Sequence, residues 1–401
     1  MDNTFELLSP AGDPEKLFMA VHYGADAVYL AGKSFGMRSA AGNFDNEQLV
    51  SAVKMCHEHG VKVYVTCNTL PRENELKELP AFLTFLNDIS ADAIIAADMG
   101  VISLAKKYAP DLKLHVSTQF GVVNSASART LYNMGADTVV LARELSLDEI
   151  ATVRANSPAE LRLESFVHGA MCVSFSGRCL LSNYLTGRDA NRGECAQPCR
   201  WKYALCEETR PGEYFPIAED TDGTYILNSR DMCMIEHIPE LIGAGIQSFK
   251  IEGRMKSSYY NAIITNAYRH ALDSAVNETP CDPVWLNEVN MVSHRPYTTG
   301  FYYGYPGQHY SDASYTSDAD VAAIVKECDA EGNALLVQRN KFSSGDTLQL
   351  ITPNRAPADF TAGELSDSDG AAIEDTRHAA MDFRMRIPFM ASPGAIVRKI
   401  K

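Results

Sequence analysis

The sequence predicts an α/β fold, a TIM-like (β/α)8 barrel with a cysteine-rich insertion, followed by a small all-β C-terminal domain. Three observations predict it. Positions 1–280 hold eight short apolar, β-branched runs, amphipathic segments separate them, and glycines stand where those segments end. Runs of about 5–7 residues are strand-length and, being apolar throughout, suit a parallel sheet covered on both faces. Eight such strands with helical crossovers close a barrel, and an open doubly wound sheet is the rival arrangement.

In chain order the strand runs are Phe5–Ser9, Ala27–Ala31, Val63–Asn68, Ala93–Asp98, Leu114–Gln119, Thr138–Arg143, Arg162–His168 and Gln247–Glu252. Helices are expected at Pro14–Tyr23, Asn46–His59, Glu73–Leu86, Val101–Tyr108, Ser125–Met134 and Leu147–Ala155. Asp13 and Ser146 offer capping side chains, and Pro14 sits at a first helical position. Gly24, Gly60, Gly135 and Gly245 follow helix ends, where a left-handed cap is needed. Polar residues gather at the strand ends: Asn68, Asp98, Gln119, Arg143, His168 and Glu252. In a parallel barrel that rim is the catalytic face.

The pattern breaks once, between the seventh and eighth runs. Residues 169–235 form a long insertion rich in Gly, Cys, Arg and Asn. Long excursions inside a compact domain are commonly functional, and this one leaves from a strand's C-terminal end. The expected layout is a barrel over 1–280, a linker over 281–318, and a small β-barrel-like domain over 319–401. Alternating runs at Val321–Cys328, Ala334–Arg339, Asp346–Ile351 and Ala395–Ile400 predict that last domain, with turn signals at 331–333 and 344–346.

Composition narrows the function. At 401 residues, 46% hydrophobic and 22% charged, the chain has the make-up of an ordinary globular protein. No stretch approaches the roughly 18–20 apolar residues of a membrane helix. The N-terminus lacks a basic segment followed by an apolar run, so a cytoplasmic location without a membrane partner is expected. A net charge of −15 excludes a broad nonspecific nucleic-acid surface while leaving room for a local basic patch. The reducing cytosol argues against pairing the ten cysteines as disulfides. Cys56, Cys67 and Cys328 lie in apolar surroundings and read as small core hydrophobes.

Four other cysteines need a different account. Cys172, Cys179, Cys195 and Cys199 all fall within the insertion. Soft thiolates select zinc, copper(I) or iron–sulfur clusters. Structural zinc sites bring ligands in tight pairs, and only Cys195 and Cys199 resemble one. The wider spacing suits a cuboidal cluster, whose iron corners lie farther apart than the ligands of one ion. Arg178 and Arg200 adjoin ligand candidates, with Arg188 and Arg192 between them, as suits a negatively charged cluster. Zinc, or thiols without metal, are the alternatives, and Cys233 is a spare ligand.

The segment ESFVHGAMCVSFSGRCLLS at 164–182 resembles the signature of peptidase family U32. The resemblance continues through GECAQPCRW at 193–201, YILNSRD at 225–231, KIEGR at 250–254, ELLSPAG at 6–12 and GADAVY at 24–29, and so covers most of the chain. The family takes its name from collagenase-like activity, and its better understood members are oxygen-independent hydroxylation proteins acting on tRNA, ribosomal RNA or ubiquinone precursors. This sequence is most similar to the tRNA members, which are needed to make 5-hydroxyuridine at the wobble position. The resemblance implies a 4Fe-4S cluster on Cys172, Cys179, Cys195 and Cys199, prephenate as hydroxyl source, and tRNA as substrate. A related partner subunit is a further expectation.

Prephenate is a dicarboxylate, so its site calls for cations that make charge-assisted bonds. Arg143, Lys250 and Arg254 are the strand-end candidates, with Arg38 on an early loop; each also suits an ion pair of the barrel rim. His168, Glu164 and Glu252 are the acid–base candidates, with purely structural hydrogen bonding as the competing role. Arg188, Arg192, Arg200 and Trp201, with Lys202, Tyr184 and Tyr203, place cations beside aromatics able to stack unpaired bases. The alternative is that the arginines balance cluster charge and the aromatics are core.

A peptidase reading lacks its machinery. There is no HExxH helix. His57 and His59 are two apart, diverge on a helix, and are expected to serve its C-terminus. A non-catalytic iron–sulfur or zinc scaffold is the third reading.

Overall fold

The structure is a computed structural model that describes residues 5–37, 42–172, 174–175, 179–190, 193–201, 205–206, 214–215, 229–306 and 315–401. Seven parallel strands come first: β1 (Glu6–Pro10), β2 (Ala27–Leu30), β3 (Lys62–Cys67), β4 (Ala93–Ala96), β5 (Lys113–Val116), β6 (Thr138–Val140) and β7 (Arg162–Ala170). A two-strand hairpin, β8 (Leu205–Cys206) with β9 (Tyr214–Phe215), lies in the insertion, followed by β10 (Asp231–Cys233). The next strand, β11 (Ser248–Ile251), pairs in parallel with both β7 and β1 and closes an eight-stranded barrel. The closed barrel, not the open sheet, is the arrangement formed. β10 adds antiparallel to the end of β7, and β12 (Tyr297–Thr298) adds to β10.

The crossovers are α1 (Pro14–His22), α2 (Asn46–Glu58), α3 (Leu79–Asp88), α4 (Met99–Tyr108), α5 (Ser125–Asn133) and α6 (Leu147–Ala155). α7 (Leu181–Thr186) lies in the insertion and α8 (Ile238–Gly243) precedes β11. Ser146 caps α6 through a capping box with Glu149, and Asp45 does the same for α2 with Gln48. One boundary moves: α3 begins at Leu79, not Glu73. Pro80 falls in its first turn, where the missing N–H costs nothing, whereas a helix running through it would lose a bond and clash.

The chain divides into two compact units, one of Met1–Leu17, Ala25–Lys256 and His294–Tyr315, the other of Phe18–Gly24, Ser257–Ser293 and Thr316–Lys401. The second unit contains α9 (Ser258–Val276), the 19-residue helix that hydrophobic periodicity misses. It buries Asn261, Thr265 and Asn266 as well as its apolar residues, so its sequence shows no clean apolar stripe. The short α10 (Pro283–Glu288) follows.

The β part of that unit holds β13 (Ala319–Cys328), β14 (Asn333–Gln338), β15 (Thr347–Thr352), β16 (Arg355–Thr361), β17 (Leu365–Asp367), β18 (Ala372–Ile373), β19 (Asp382–Arg386) and β20 (Ile396–Ile400). They form one antiparallel sheet around Leu336, Leu350, Phe383, Ala395 and Val397. Cys328 packs half-buried against this core.

Arg398 of β20, 1% exposed, forks onto Glu288 with bonds of 2.8 and 2.6 Å. Removing one member of such a pair strands a buried charge. Arg398→Met is therefore expected to cost about 3–5 kcal/mol, read as a lower urea midpoint. An unchanged midpoint would show the pair to be energetically idle.

Candidate functional site

The C-terminal mouth of the barrel opens into a cavity of about 1020 Å³, its open side included. Cys172, Cys179, Cys195 and Cys199 all line it, and so do Arg143, Lys250, Glu252 and Arg254. Residues far apart in sequence thus share one wall.

The four cysteines are half-buried and form no disulfide among the described residues. Cys179 Sγ accepts the Leu181 amide at 3.4 Å, and Cys195 Sγ accepts the Gln197 amide at 3.3 Å. Hydrogen bonds to a ligand sulfur are among the features that tune an iron–sulfur centre. The Ser182 hydroxyl of α7 accepts the Ala196 amide at 3.0 Å, which ties that helix to the Cys195 loop. Among the described residues no group of three or more His, Cys, Asp or Glu side chains is set to hold a single metal ion.

Lys250 is the best-built cation of the cavity. Its ammonium sits 2.7 Å from Glu164 Oε1, over the ring of Tyr29 at 4.6 Å and near that of Phe166 at 5.6 Å. Glu164 itself is fully buried and does not line the cavity; it anchors Lys250 from beneath. Arg143 gives Nη1 to Ala170 O at 3.2 Å, lies over Phe166, and keeps Nε buried with no partner among the described residues. Arg254 donates to Thr66 Oγ1 at 3.3 Å and to Asn43 Oδ1. Glu252 Oε2 lies 3.2 Å from the Tyr29 hydroxyl, which also donates to Ile251 O at 2.9 Å.

Below the cavity the barrel interior is polar where such barrels are ordinarily filled by branched apolar side chains. Ser248 Oγ lies 3.1 Å from Glu164 Oε2 and 3.2 Å from Glu6 Oε1, so one hydroxyl bridges two carboxylates. Glu6 also accepts from Tyr64 OH at 2.7 Å and from Lys62 and Arg162 at 3.2 Å each. Burial pushes the Glu6 carboxyl up, but Arg162, the Tyr64 hydroxyl, Lys62 and His115 together hold it below its ordinary value. At Asp231 burial is likewise outweighed, by Arg295 and Lys256.

Both carboxyls therefore bind fewer protons folded than unfolded around their ordinary pKa, so stability rises with pH in that range. The contribution is expected to be full above about pH 5 and to drain away as the pH falls below about 4. Urea midpoints measured across that range check it; a midpoint flat with pH would refute it.

His168 stands apart from this wall. It is 1% exposed, does not line the cavity, and sits 3.4 Å from Tyr297 OH. Burial pushes its imidazole down to about 3, so it stays neutral at physiological pH. Of the acid–base candidates only Glu252 faces the cavity.

The RNA-contact candidates divide similarly. Arg188 is exposed, Trp201 is 43% exposed and Tyr184 is 80% exposed, so these aromatics are not core. Arg192, Lys202, Tyr203 and the side chain of Arg200 lie outside the described residues, as do Arg38 and Arg178. His57 pairs with Asp92 at 2.9 Å, and His59 Nδ1 meets Met55 O at 2.8 Å at the end of α2. Of the two, His59 serves the helix end, whereas His57, against expectation, bonds the Asp92 carboxylate outside the helix.

Among residues not singled out from sequence, Tyr29 and Thr66 line the cavity, and Asn43 supports a cavity residue without lining it. Tyr29 carries the Lys250 ammonium on its ring, and Thr66 and Asn43 hold Arg254. Tyr29 lies in the GADAVY segment, a signal that was on hand. Asn43 had none.

The profile of peptidase family U32 matches residues 12–312, and that of the peptidase family U32 C-terminal domain matches residues 317–398. The chain is 36% identical over 403 residues to tRNA hydroxylation protein P1 of Bacillus subtilis, covering 99% of this chain and 95% of that one. It is 36% identical to tRNA hydroxylation protein P of Escherichia coli, covering 92% and 90%. It is also 32% identical to a collagenase of Porphyromonas gingivalis, covering 75% and 74%. A family match over both units, joined by relatives this similar along nearly their whole length, leads to one conclusion: this chain belongs to peptidase family U32.

Proposed function

We propose that this chain is a tRNA-modifying enzyme that hydroxylates tRNA without dioxygen, forming 5-hydroxyuridine at the wobble position. In this reading Cys172, Cys179, Cys195 and Cys199 hold a 4Fe-4S cluster, and prephenate supplies the hydroxyl group. The observation that carries the proposal is the meeting of four cysteines with Lys250, Arg143 and Arg254 on one barrel cavity. Its substrate assignment draws on the relatives named for tRNA hydroxylation, which match nearly end to end.

The donor set suits the group. Four sulfurs line one cavity, two of them accepting backbone amides, and their wide spacing along the chain favours a cluster over zinc. When bound, the cluster would supply electron transfer. The chain's own residues do the rest. Lys250, held by Glu164, presents a fixed ammonium to a carboxylate of the donor. Arg143 and Arg254 offer further guanidinium hydrogens, and the aromatic walls Tyr29 and Phe166 exclude water around them. Glu252 is the carboxylate placed to take or give a proton at the cavity wall. The exposed Tyr184, Trp201 and Arg188 form a stacking and charge-bearing rim for an unpaired anticodon loop. A cytoplasmic site of action and a related partner subunit complete the proposal.

Deleting the gene and measuring tRNA nucleosides by mass spectrometry tests the reading. Nucleosides derived from 5-hydroxyuridine are expected to disappear and to return with the wild-type gene. Unchanged tRNA, together with cleavage of gelatin by the purified chain, would replace it with the peptidase reading that the collagenase relative suggests.

A further inference from the structure

The described residues of the motif YILNSRD at 225–231, Ser229, Arg230 and Asp231, do not line the cavity, yet Asp231 is among the best anchored in the barrel unit. We infer that Ser229 and Asp231, with Arg295, form a brace that positions Cys172 for metal ligation, an inference that rests on the four-cysteine cluster proposed above.

The brace begins with the length of β7. That strand runs nine residues, against three to six for the other barrel strands. Its last stretch, His168–Ala170, is paired antiparallel by β10, with Asp231 opposite Ala170 and Cys233 opposite His168. β12 in turn pairs with β10. Two short strands would not hold by themselves. What locks them is Arg295, which is 1% exposed and gives Asp231 three hydrogen bonds. They run from its backbone amide to Oδ2 at 3.1 Å, from Nε to Oδ1 at 3.0 Å and from Nη2 to Oδ1 at 2.6 Å. The Asp231 amide adds a bond to Pro296 O at 3.2 Å.

The brace acts on the two carbonyls that precede the first cysteine. The Ser229 hydroxyl donates to Met171 O at 2.8 Å, and Arg143 Nη1 donates to Ala170 O at 3.2 Å. Gly169, in the same stretch of β7 and at φ +108°, lies where a Cβ would collide with the Glu252 carbonyl oxygen. His168, the residue before it, packs against Tyr297. Cys172 is therefore the ligand candidate anchored directly to the barrel, whereas Cys179, Cys195 and Cys199 hang on the insertion. A ligand must sit within about 0.5 Å of its productive position, and losing an outer partner of a metal ligand typically costs about 10–100-fold in affinity. Arg143, in this view, is a positioning residue as much as a donor to substrate.

Asp231→Asn and Ser229→Ala, each purified anaerobically as the full chain and reconstituted with iron and sulfide, test the brace. Lys326→Ala, which removes only an exposed ion pair with Asp382, is the control. Iron and sulfide per chain, the electron paramagnetic resonance spectrum of the reduced protein, and the rate of bleaching in air are read beside circular dichroism and melting temperature. Ser229→Ala is expected to fold as wild type yet bleach about tenfold faster or hold several-fold less iron, with altered g-values. Asp231→Asn is expected to show the same defect more strongly; should it fail to fold, Ser229→Ala decides. Variants with wild-type iron content, spectra and bleaching rates, changed only in melting temperature, would overturn the brace and leave a purely structural ion pair. A wild-type chain that takes up no iron at all would instead remove the cluster reading, and the brace with it, which is a distinct result.

Discussion

Serine in place of Cys172, Cys179, Cys195 or Cys199, one at a time, is expected to abolish the brown colour of the anaerobically purified chain. Wobble hydroxylation is expected to fall by at least about 100-fold. The oxygen of serine is hard, far less acidic than a thiol, and a poor substitute at a cluster corner. The four thiols are only half-buried, so the same substitutions should leave folding stability within about 1 kcal/mol in the metal-free chain. That pairing of a large chemical effect with a small structural one is the signature of a ligand. Cys67→Ser and Cys56→Ser should show the reverse. Both thiols are fully buried among apolar neighbours, and burial pushes each up to about 12, so they stay protonated and serve packing alone. Full iron content in any one of the four variants would remove that cysteine from the ligand set, and full iron in all four would end the cluster proposal.

Lys250→Met is expected to be the most damaging change outside the cysteines, because it acts on stability and chemistry together. It removes the cation from a pair in which Glu164 is fully buried, and leaves that carboxylate to lean on the Ser248 hydroxyl. The cost should be about 3–5 kcal/mol. Lys250→Met combined with Glu164→Gln removes both charges and should recover most of that loss, because a neutral pair of similar volume carries no stranded charge. Activity should not recover. Both the single and the double variant should lose about 100-fold in kcat/KM for the proposed dicarboxylate donor, since the ammonium that meets its carboxylate is gone. Chemical denaturation and single-turnover assays measure the two effects separately. A double variant with restored activity would show that Lys250 is a structural counterion and that the carboxylate is held elsewhere, by Arg143 or Arg254.

These expectations depend on side chains whose importance was unevenly legible. Apolar runs of strand length, separated by capped amphipathic segments, can be read directly, and the eight barrel strands lie where those runs fall. Ser146, Asp13 and the helix-ending glycines act through bonds to near neighbours in the chain, so their roles are local and visible. The helix Ser258–Val276 was hidden because it is buried on nearly every side, which erases the periodicity that marks a surface helix. β19 was readable after all: Phe383 and Met385 alternate with Arg384 and Arg386 in a strand pattern, yet only pairing with β14 and β17 places it in the sheet.

The cavity shows the same division. By itself the sequence determined the barrel, its insertion, and a quartet of cysteines at a spacing that suits a cluster, because chemistry and short-range patterning are written in neighbouring letters. Only the tertiary structure decided which strand-end residues share a wall. Lys250 and Glu252 turn into the cavity, Glu164 sits beneath it as an anchor, and His168 is packed away against Tyr297. Barrel closure is the physical reason. Pairing β11 with both β1 and β7 sets the register that puts Glu6, Ser248 and Glu164 at one level, with Lys250 above them, and that register joins the first strand of the barrel to its last.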